Sequence, residues 1–360
     1  MKAKISLRQT GILTVMCILA NKLLLLPSLL FERTGVDGLI SVAISFAVEL
    51  ILIPIFLKLK TKHPSLSFYE ILKKYFGVIA VKTIFFALLV FMFMKAILTF
   101  GIVYVYFKQE IYQEEFLMLI LVCMLPVLTH GVLSGLRTIS RTMEFFFTVV
   151  LVGFFVCLLM SLFTSVTLPV FFVNSAGTIF SSAFKYFIVF DDFLFLFIIM
   201  DRVDIKQGQE KKFYFYVLLG MFMVLAMFFF FYAKYPVTAF MHDNALSDLL
   251  VFSVQFSAIG RLNIIAMITI MLITLFQMEI FCFGFCQCFE NLLPKLNKKH
   301  AIALFDIVLS LIFLLFVGSH ADIVEAAEGW FSIFAIGVFV VVFIVSLILC
   351  FVRRKDEEKD

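Results

Sequence analysis

Residues 145–184 form a run of 40 positions without a single charged side chain. A helix crosses the hydrocarbon core of a bilayer with about 20 apolar residues, so this run is long enough for two crossings. Pro169, Asn174 and Gly177 lie inside it and mark the turn between the two helices. The whole chain shares this character, because 63% of its 360 residues are hydrophobic and 15% are charged. Soluble domains have roughly 45–50% apolar and about 25% charged residues, so the composition predicts an all-α polytopic membrane protein and excludes collagen, coiled-coil, disordered and disulfide-scaffold classes.

Ten segments between charged clusters are long and apolar enough to be transmembrane helices. They cover residues 10–31, 38–57, 83–105, 115–135, 143–165, 178–200, 213–234, 259–285, 301–318 and 330–352. We expect residues 1–352 to form a single transmembrane domain and residues 353–360 a charged cytoplasmic tail. Residues 249–258 are expected to form a short helix outside the eighth span. A small-residue cleavage site does not follow the basic residues 1–8, so we expect the first helix to be retained.

The placement of lysine and arginine predicts the orientation of the chain. With the N-terminus in the cytoplasm, 21 of the 29 lysines and arginines fall in inner segments, and three fall in outer loops, namely Arg33, Lys108 and Lys234. Cytoplasmic loops of membrane proteins are enriched in these residues. We therefore predict that both termini are cytoplasmic.

One inner segment has the pattern of a helix that lies on the membrane surface. Ser67 and Glu70 have the spacing of a capping box. The apolar residues Phe68, Ile71, Leu72 and Tyr75 fall on one helical face, opposite Glu70, Lys73 and Lys74. The pattern predicts an interfacial helix that ends at Gly77.

Five charged residues fall near the middle of four predicted spans. Lys22 lies in span 1, Glu49 in span 2, Lys95 in span 3, and Asp191 and Asp192 in span 6. At 1.5 Å per residue all five are at a similar depth. A charge at a helix centre costs about 2.5–3.5 kcal/mol on insertion scales, so each should face the interior of the bundle and have a partner. We predict that Lys22 pairs with Asp191 or Asp192, and that Lys95 pairs with Glu49.

Two interpretations of these charges remain open: pairs that only support folding, and a binding or ion-coupling site at the midplane of the membrane. Asp191 and Asp192 point about 100° apart on an ideal helix, so one lysine cannot easily serve both. This favours a local break or a second partner. Arg261 is predicted near the outer mouth of span 8, where it either guards the entrance or anchors the surface.

Other chemistry is not indicated. Cys282 and Cys286 share a helical face, but Cys288 does not, and no nearby histidine completes a tetrahedral metal site. The chain has no Walker loop, no G-x-G-x-x-G and no H-E-x-x-H sequence. We predict that the protein is not an enzyme and uses no cofactor, metal or nucleic acid.

Several motifs resemble the B-subunit family of spore germination receptors. The resemblance is most specific in the N-terminal quarter and covers essentially the whole chain. In that quarter it includes residues 4–9 (KISLRQ), 26–28 (LPS), 35–38 (GVDG), 62–66 (KHPSL), 69–72 (YEIL) and 75–77 (YFG). Later anchors are Gly131, Arg137, Arg141 and residues 259–262 (IGRL).

The resemblance implies membership of the amino acid–polyamine–organocation superfamily and the leucine-transporter fold. This fold has two inverted five-helix repeats, here about 10–165 and 178–352, with helices 1 and 6 interrupted. The resemblance also implies a permease-like subunit of the spore inner membrane that lies in lipid with A and C subunits and senses nutrients such as L-alanine. Family binding residues lie along helices 1 and 6 and face helices 3 and 8.

The chain departs from the family pattern at three places: Ala20-Asn21-Lys22 replaces the glycine-containing break of helix 1, Phe190-Asp191-Asp192 stands in helix 6, and Asn263 replaces an acid after Arg261. The candidate ligand-binding or ion-coupling residues are Asn21, Lys22, Glu49, Lys95, Asp191, Asp192, Arg261 and Asn263. We expect Lys22 either to replace a coupling cation or to hold a ligand carboxylate. Three roles stay open: a germinant receptor B subunit, a proton-coupled amino acid permease, and a scaffold subunit whose site has decayed.

Overall fold

A computed structural model describes residues 4–111, 116–162, 167–205, 208–251, 263–315 and 320–352. The helices in the first half are α1 Leu7–Ala20, α2 Leu26–Thr34, α3 Gly38–Leu50, α4 Leu52–Lys62, α5 Phe68–Ile111, α6 Phe116–Ser134 and α7 Leu136–Ser161. Those in the second half are α8 Ala176–Lys185, α9 Leu194–Ile198, α10 Glu210–Lys234, α11 Ala245–Val251, α12 Asn263–Leu292, α13 Lys298–Leu315, α14 His320–Glu328 and α15 Trp330–Phe351. The two short strands β1 Ile5–Ser6 and β2 Val203–Asp204 pair in parallel. The described chain is otherwise helices and their connections.

Six helical stretches of the described chain are long and apolar enough to cross a membrane. They are Leu26–Lys62, Phe68–Glu110, Leu136–Ser161, Glu210–Lys234, Asn263–Leu292 and Ala321–Phe351. Helix α1, Leu7–Ala20, is apolar but shorter. The chain is therefore an all-α integral membrane protein with several membrane-spanning helices.

Two of the predicted spans are broken. The first runs as α1, an irregular turn at residues 21–25, and α2, which has Pro27 in its first turn. The sixth runs as α8, a 3₁₀ turn at Phe187–Val189, an irregular stretch, and α9. Both breaks agree with the interruptions that the family resemblance implies.

Other boundaries differ from the predicted ones. Helix α7 begins at Leu136, directly after Gly135, whose φ of 91° ends the preceding helix. Charged residues in its first turns face outward from the core, so the helix extends beyond the apolar run that marked span 5. Helix α14 stands where the sequence predicted only a connection between spans 9 and 10. The short helix before span 8 is Ala245–Val251, and the rest of the predicted segment 249–258 lies outside the described residues.

Helix α12 lies at the centre of the bundle. It packs against α1, α5, α6, α7 and α13. Residues 276–289 of this helix are all buried. A helix enclosed on every side carries its polar residues into the interior, so its side chains are well placed to contribute to an internal site.

The helix predicted at residues 67–77 is present as the first part of α5. The side-chain oxygen of Ser67 accepts a hydrogen bond from the Glu70 backbone N–H at 3.2 Å, and the Ser67 N–H donates to Glu70 Oε2 at 2.7 Å. Phe68, Ile71 and Leu72 are buried. Gly77 ends this part with φ 79° and ψ 173°, a backbone conformation open almost only to glycine.

Replacing Gly77 with alanine is expected to destabilise the protein by about 1–3 kcal/mol, because a side chain strains this backbone conformation. An added Cβ would meet no atom within 4 Å, so the expected effect comes from the backbone alone. The measurement is the thermal stability of the detergent-solubilised protein.

Gly337→Ala is the matched control. Gly337 lies inside α15 and also has open space around the added Cβ, but it has an ordinary helical conformation. Alanine is expected to leave stability unchanged or to raise it by about 0.5–1 kcal/mol. Equal stability of the two variants would show that the bend at residue 77 does not depend on glycine.

Candidate functional site

The two helix breaks meet in the interior of the bundle. In the second break, Phe190 has φ −83° and ψ −146°, and Asp191 has φ 61°, which is uncommon for a residue other than glycine. This conformation takes the carbonyl groups of Val189 and Phe190 out of regular helical hydrogen bonding. The sequence predicts a local break or a second partner at these adjacent aspartates, and a break is present.

Asp192 lies between two lysines. Its Oδ2 forms an ion pair with Lys22 Nζ, and its Oδ1 lies 2.9 Å from Lys95 Nζ. The side chains of all three residues are 0% exposed. Lys22 comes from the first break and Lys95 from α5, so Asp192 joins three separate parts of the chain. The predicted pairing of Lys22 with one of the two aspartates is confirmed, and the partner is Asp192.

The same two lysines also bind the carbonyl groups that the second break exposes. Lys22 Nζ donates to the Val189 carbonyl oxygen at 3.0 Å. Lys95 Nζ donates to the Phe190 carbonyl oxygen and, at 3.4 Å, to that of Val189. A helix that opens in a membrane must find new donors for its carbonyls, and here the ammonium groups supply them.

Aromatic rings surround the two ammonium groups. Lys22 Nζ lies 5.0 Å from the centre of the Phe190 ring and 5.8 Å from that of Phe46. Lys95 Nζ lies 5.7 Å from the centre of the Phe281 ring. The faces of aromatic rings attract cations, so these contacts offset part of the cost of removing the lysines from water.

Glu49 and Asp191 complete the cluster without pairing to a lysine. Glu49 Oε1 accepts a hydrogen bond from the Asp192 backbone N–H at 2.7 Å. Glu49 Oε2 and both carboxyl oxygens of Asp191 are buried and have no hydrogen-bond partner among the described residues. The predicted pair of Lys95 with Glu49 is therefore wrong. The break turns Asp192 toward Lys95, and Glu49 instead caps the backbone of the break.

A second polar group lies beside the cluster. Asn21 Nδ2 donates to Thr99 Oγ1 at 3.0 Å, and Thr99 Oγ1 also lies 3.1 Å from Gln277 Oε1. Gln277 Nε2 in turn donates to the Cys17 carbonyl oxygen at 3.1 Å. Neither Thr99 nor Gln277 was among the predicted site residues. Two features of the sequence could have identified them. Thr99 lies one helical turn from Lys95, and Gln277 is an uncharged amide in an apolar helix.

Asn263, the remaining predicted residue that the structure describes, is not part of the cluster. Asn263 donates to Glu110 Oε2 at 3.1 Å, and Glu110 Oε1 accepts from Ser247 at 2.9 Å. Asn263 precedes Gln277 by 14 residues on α12, about 21 Å along the axis. It therefore belongs to a separate polar group near one end of the helix. Arg261 lies outside the described residues.

A further charged group, which the sequence did not predict, connects α2, α8 and α14. Glu328 forms ion pairs with Lys185 and, at 3.7 Å, with Arg33. It also accepts a hydrogen bond from the Tyr186 hydroxyl group. A cavity of about 620 Å³, lined in part by Glu32, Lys185 and Glu328, lies beside this group. Tyr186 begins the second break, so the cavity and the buried cluster lie at opposite ends of a short stretch of chain.

The cluster combines two cations, three acids and several amide and carbonyl groups without contact with solvent. Such a site can hold the charged ends of a small zwitterion, or exchange a proton or cation, once its side chains separate.

A family model described as spore germination protein matches residues 4–317, which is most of the chain. No curated protein matches the sequence significantly.

Proposed function

This chain belongs to the family of spore germination proteins, and from this premise we propose that it is the permease-like B subunit of a nutrient germinant receptor. Its ligand is a small amino-acid-type nutrient. The observation that carries the proposal is the meeting of two helix breaks around Lys22, Lys95 and Asp192. Placing a charged side chain inside a membrane costs free energy, and a binding role explains why this protein has five such side chains in one place.

The proposed architecture has ten spans, arranged as two inverted repeats at about 10–165 and 178–352. Both termini are cytoplasmic, and the protein lies in the spore inner membrane with A and C subunits. Breaks within the first and sixth predicted spans support this arrangement. Discontinuous helices of this kind, which form a site near the midplane, are typical of proteins built from inverted repeats.

The ligand binds by exchanging partners with the cluster. Its carboxylate competes with Asp192 for Lys22 and Lys95, since each ammonium group can serve either anion. Its ammonium group finds acceptors in the unpartnered oxygens of Asn21, Glu49 and Asp191. The cluster side chains are buried, so binding requires the breaks to open. Such an opening is a local rearrangement that can pass a signal to neighbouring subunits.

Deleting the gene tests the role in germination. We expect spores of the deletion strain to lose germination with one class of nutrient and to keep germination triggered by other means. The measurement is the loss of optical density and the release of spore contents with a panel of amino acids and sugars. A strain without a redundant paralogue that responds normally to every nutrient would contradict the proposal.

A second candidate function is proton-coupled transport of an amino acid. The buried, unpartnered carboxyl groups of Glu49 and Asp191 favour it, because proton relays in membrane proteins use acids of this kind. Uptake of labelled amino acids into proteoliposomes that hold only this chain, driven by a pH gradient, would support transport. Binding without uptake would favour the receptor.

A further inference from the structure

Three oxygen atoms of the buried cluster formed by Lys22, Glu49, Lys95, Asp191 and Asp192 have no hydrogen-bond donor among the described residues. They are Glu49 Oε2 and the two carboxyl oxygens of Asp191, and they find no hydrogen-bond partner among the described residues. Glu49 is 0% exposed and Asp191 is 1% exposed. An ionised carboxylate that is buried without donors is among the most expensive groups in a protein interior.

The charges of the cluster balance only if one of its acids is protonated. Lys22 and Lys95 supply two positive charges, and Asp192 neutralises one of them. If Glu49 and Asp191 were both ionised, the cluster would carry one negative charge in excess. One proton on this pair of acids makes the cluster neutral and turns one unpartnered oxygen into a donor.

The geometry keeps both lysines from serving these two acids instead. The ammonium groups are already bound to Asp192 and to the carbonyls of Val189 and Phe190. Asp191, at φ 61°, has no hydrogen-bond partner for either carboxyl oxygen among the described residues, so neither lysine serves it. Other titratable groups that face the pair are Lys22, Lys95, Asp192 and the Cys17 thiol.

We propose that Glu49 and Asp191 share one exchangeable proton, which makes the buried cluster neutral without a bound metal cation. The site then responds to pH and not to sodium. The location and charge of this proton follow from the cluster alone, whereas its part in nutrient response rests on the proposed function.

Infrared spectroscopy of the full chain in lipid vesicles, without nutrient, tests the proposal. The measured quantity is the absorption of protonated carboxylic acid groups, identified by its shift in D₂O. Asp191→Asn and Glu49→Gln should each remove one such group, because either change leaves two cations balanced by two anions. Lys22→Met removes a cation instead, so it should add a second protonated acid and about double the signal of the pair.

Glu144→Gln is the control, since Glu144 is a carboxylate already paired with Arg8 outside the cluster, and its spectrum should match that of the wild type. Spectra with sodium chloride and with choline chloride should also agree. The proposal is overturned if the two carboxyl variants leave the signal unchanged, if only one of them removes it, or if sodium removes it from the wild type. If Lys22→Met does not fold, the two carboxyl variants still decide the question.

These outcomes do not depend on germination. If the infrared test finds the expected proton but the deletion strain responds normally to every nutrient, the proposed function is overturned and the proton site stands. If the deletion strain loses the response to one class of nutrient but the infrared test finds no such proton, the proton site is overturned and the proposed function stands.

Discussion

Replacing Lys22 with methionine is expected to raise the nutrient concentration needed for half-maximal germination by about tenfold or more. Methionine keeps the length and the apolar bulk of the side chain and removes its charge. Lys22 binds Asp192 and the Val189 carbonyl group, and it is the proposed partner of the ligand carboxylate. A hydrogen bond to a charged group contributes about 1.5–3 kcal/mol, and 1.4 kcal/mol corresponds to about tenfold in affinity. Dose–response curves of germinating spores measure the effect.

Two further variants make this result interpretable. Lys22→Arg should restore the response only in part, because a planar guanidinium cannot replace a compact ammonium group among the carbonyls of the break. Lys58→Met removes an exposed lysine of α4 whose Nζ lies 4.9 Å from the centre of the Phe351 ring, and it should leave the response unchanged. If Lys22→Met reaches wild-type amounts in the membrane and responds at an unchanged concentration without sodium, Lys22 is only a structural partner.

Replacing Asp192 with asparagine is expected to destabilise the protein by about 3–5 kcal/mol. Asp192 is the carboxylate to which both buried lysines are paired. Its loss removes the carboxylate that both ammonium groups contact, and removing one partner of a buried ion pair has an effect of this size. The measurements are the thermal unfolding of the solubilised protein and its amount in the membrane.

The neighbouring change, Asp191→Asn, is the matched control and should have the opposite outcome. Asp191 makes no hydrogen bond through its carboxyl group among the described residues, and asparagine tolerates the left-handed conformation that this position requires. We expect stability to remain the same or to rise slightly. Equal destabilisation by both substitutions would mean that the two aspartates share the lysines, contrary to the structure.

The contrast between these adjacent aspartates shows which features of the site could be predicted from the sequence and which could not. Their similar depth to Lys22 and Lys95 follows from counting residues at 1.5 Å each, and it correctly brought the five charges together. The partner of each charge depends on helix rotation and on the backbone at the break. The φ of 61° at Asp191 turned Asp192 toward both lysines, so the predicted pair of Lys95 with Glu49 did not form.

Contacts between distant parts of the chain could not be predicted from the sequence either. Glu328 joins Arg33, Lys185 and Tyr186, and Gln277 joins Thr99 and Cys17, across separations of many residues. Asn263 is a candidate only through the family resemblance, and it binds Glu110 near one end of α12. Side chains on different helices meet only when the helices have packed, so neighbours along the chain carry no information about them.

The sequence by itself determined the properties that depend on local order and composition. These are the membrane class, the presence of several apolar spans, the capped helix at residues 67–77 and the presence of charged residues within apolar segments. The tertiary structure decided which charges pair, which carboxyl oxygens remain without donors, and which polar residues of α12 face the site. The physical reason is that hydrophobicity and capping act within a few residues, whereas a buried ion pair needs angstrom-level placement of groups from three separate parts of the chain.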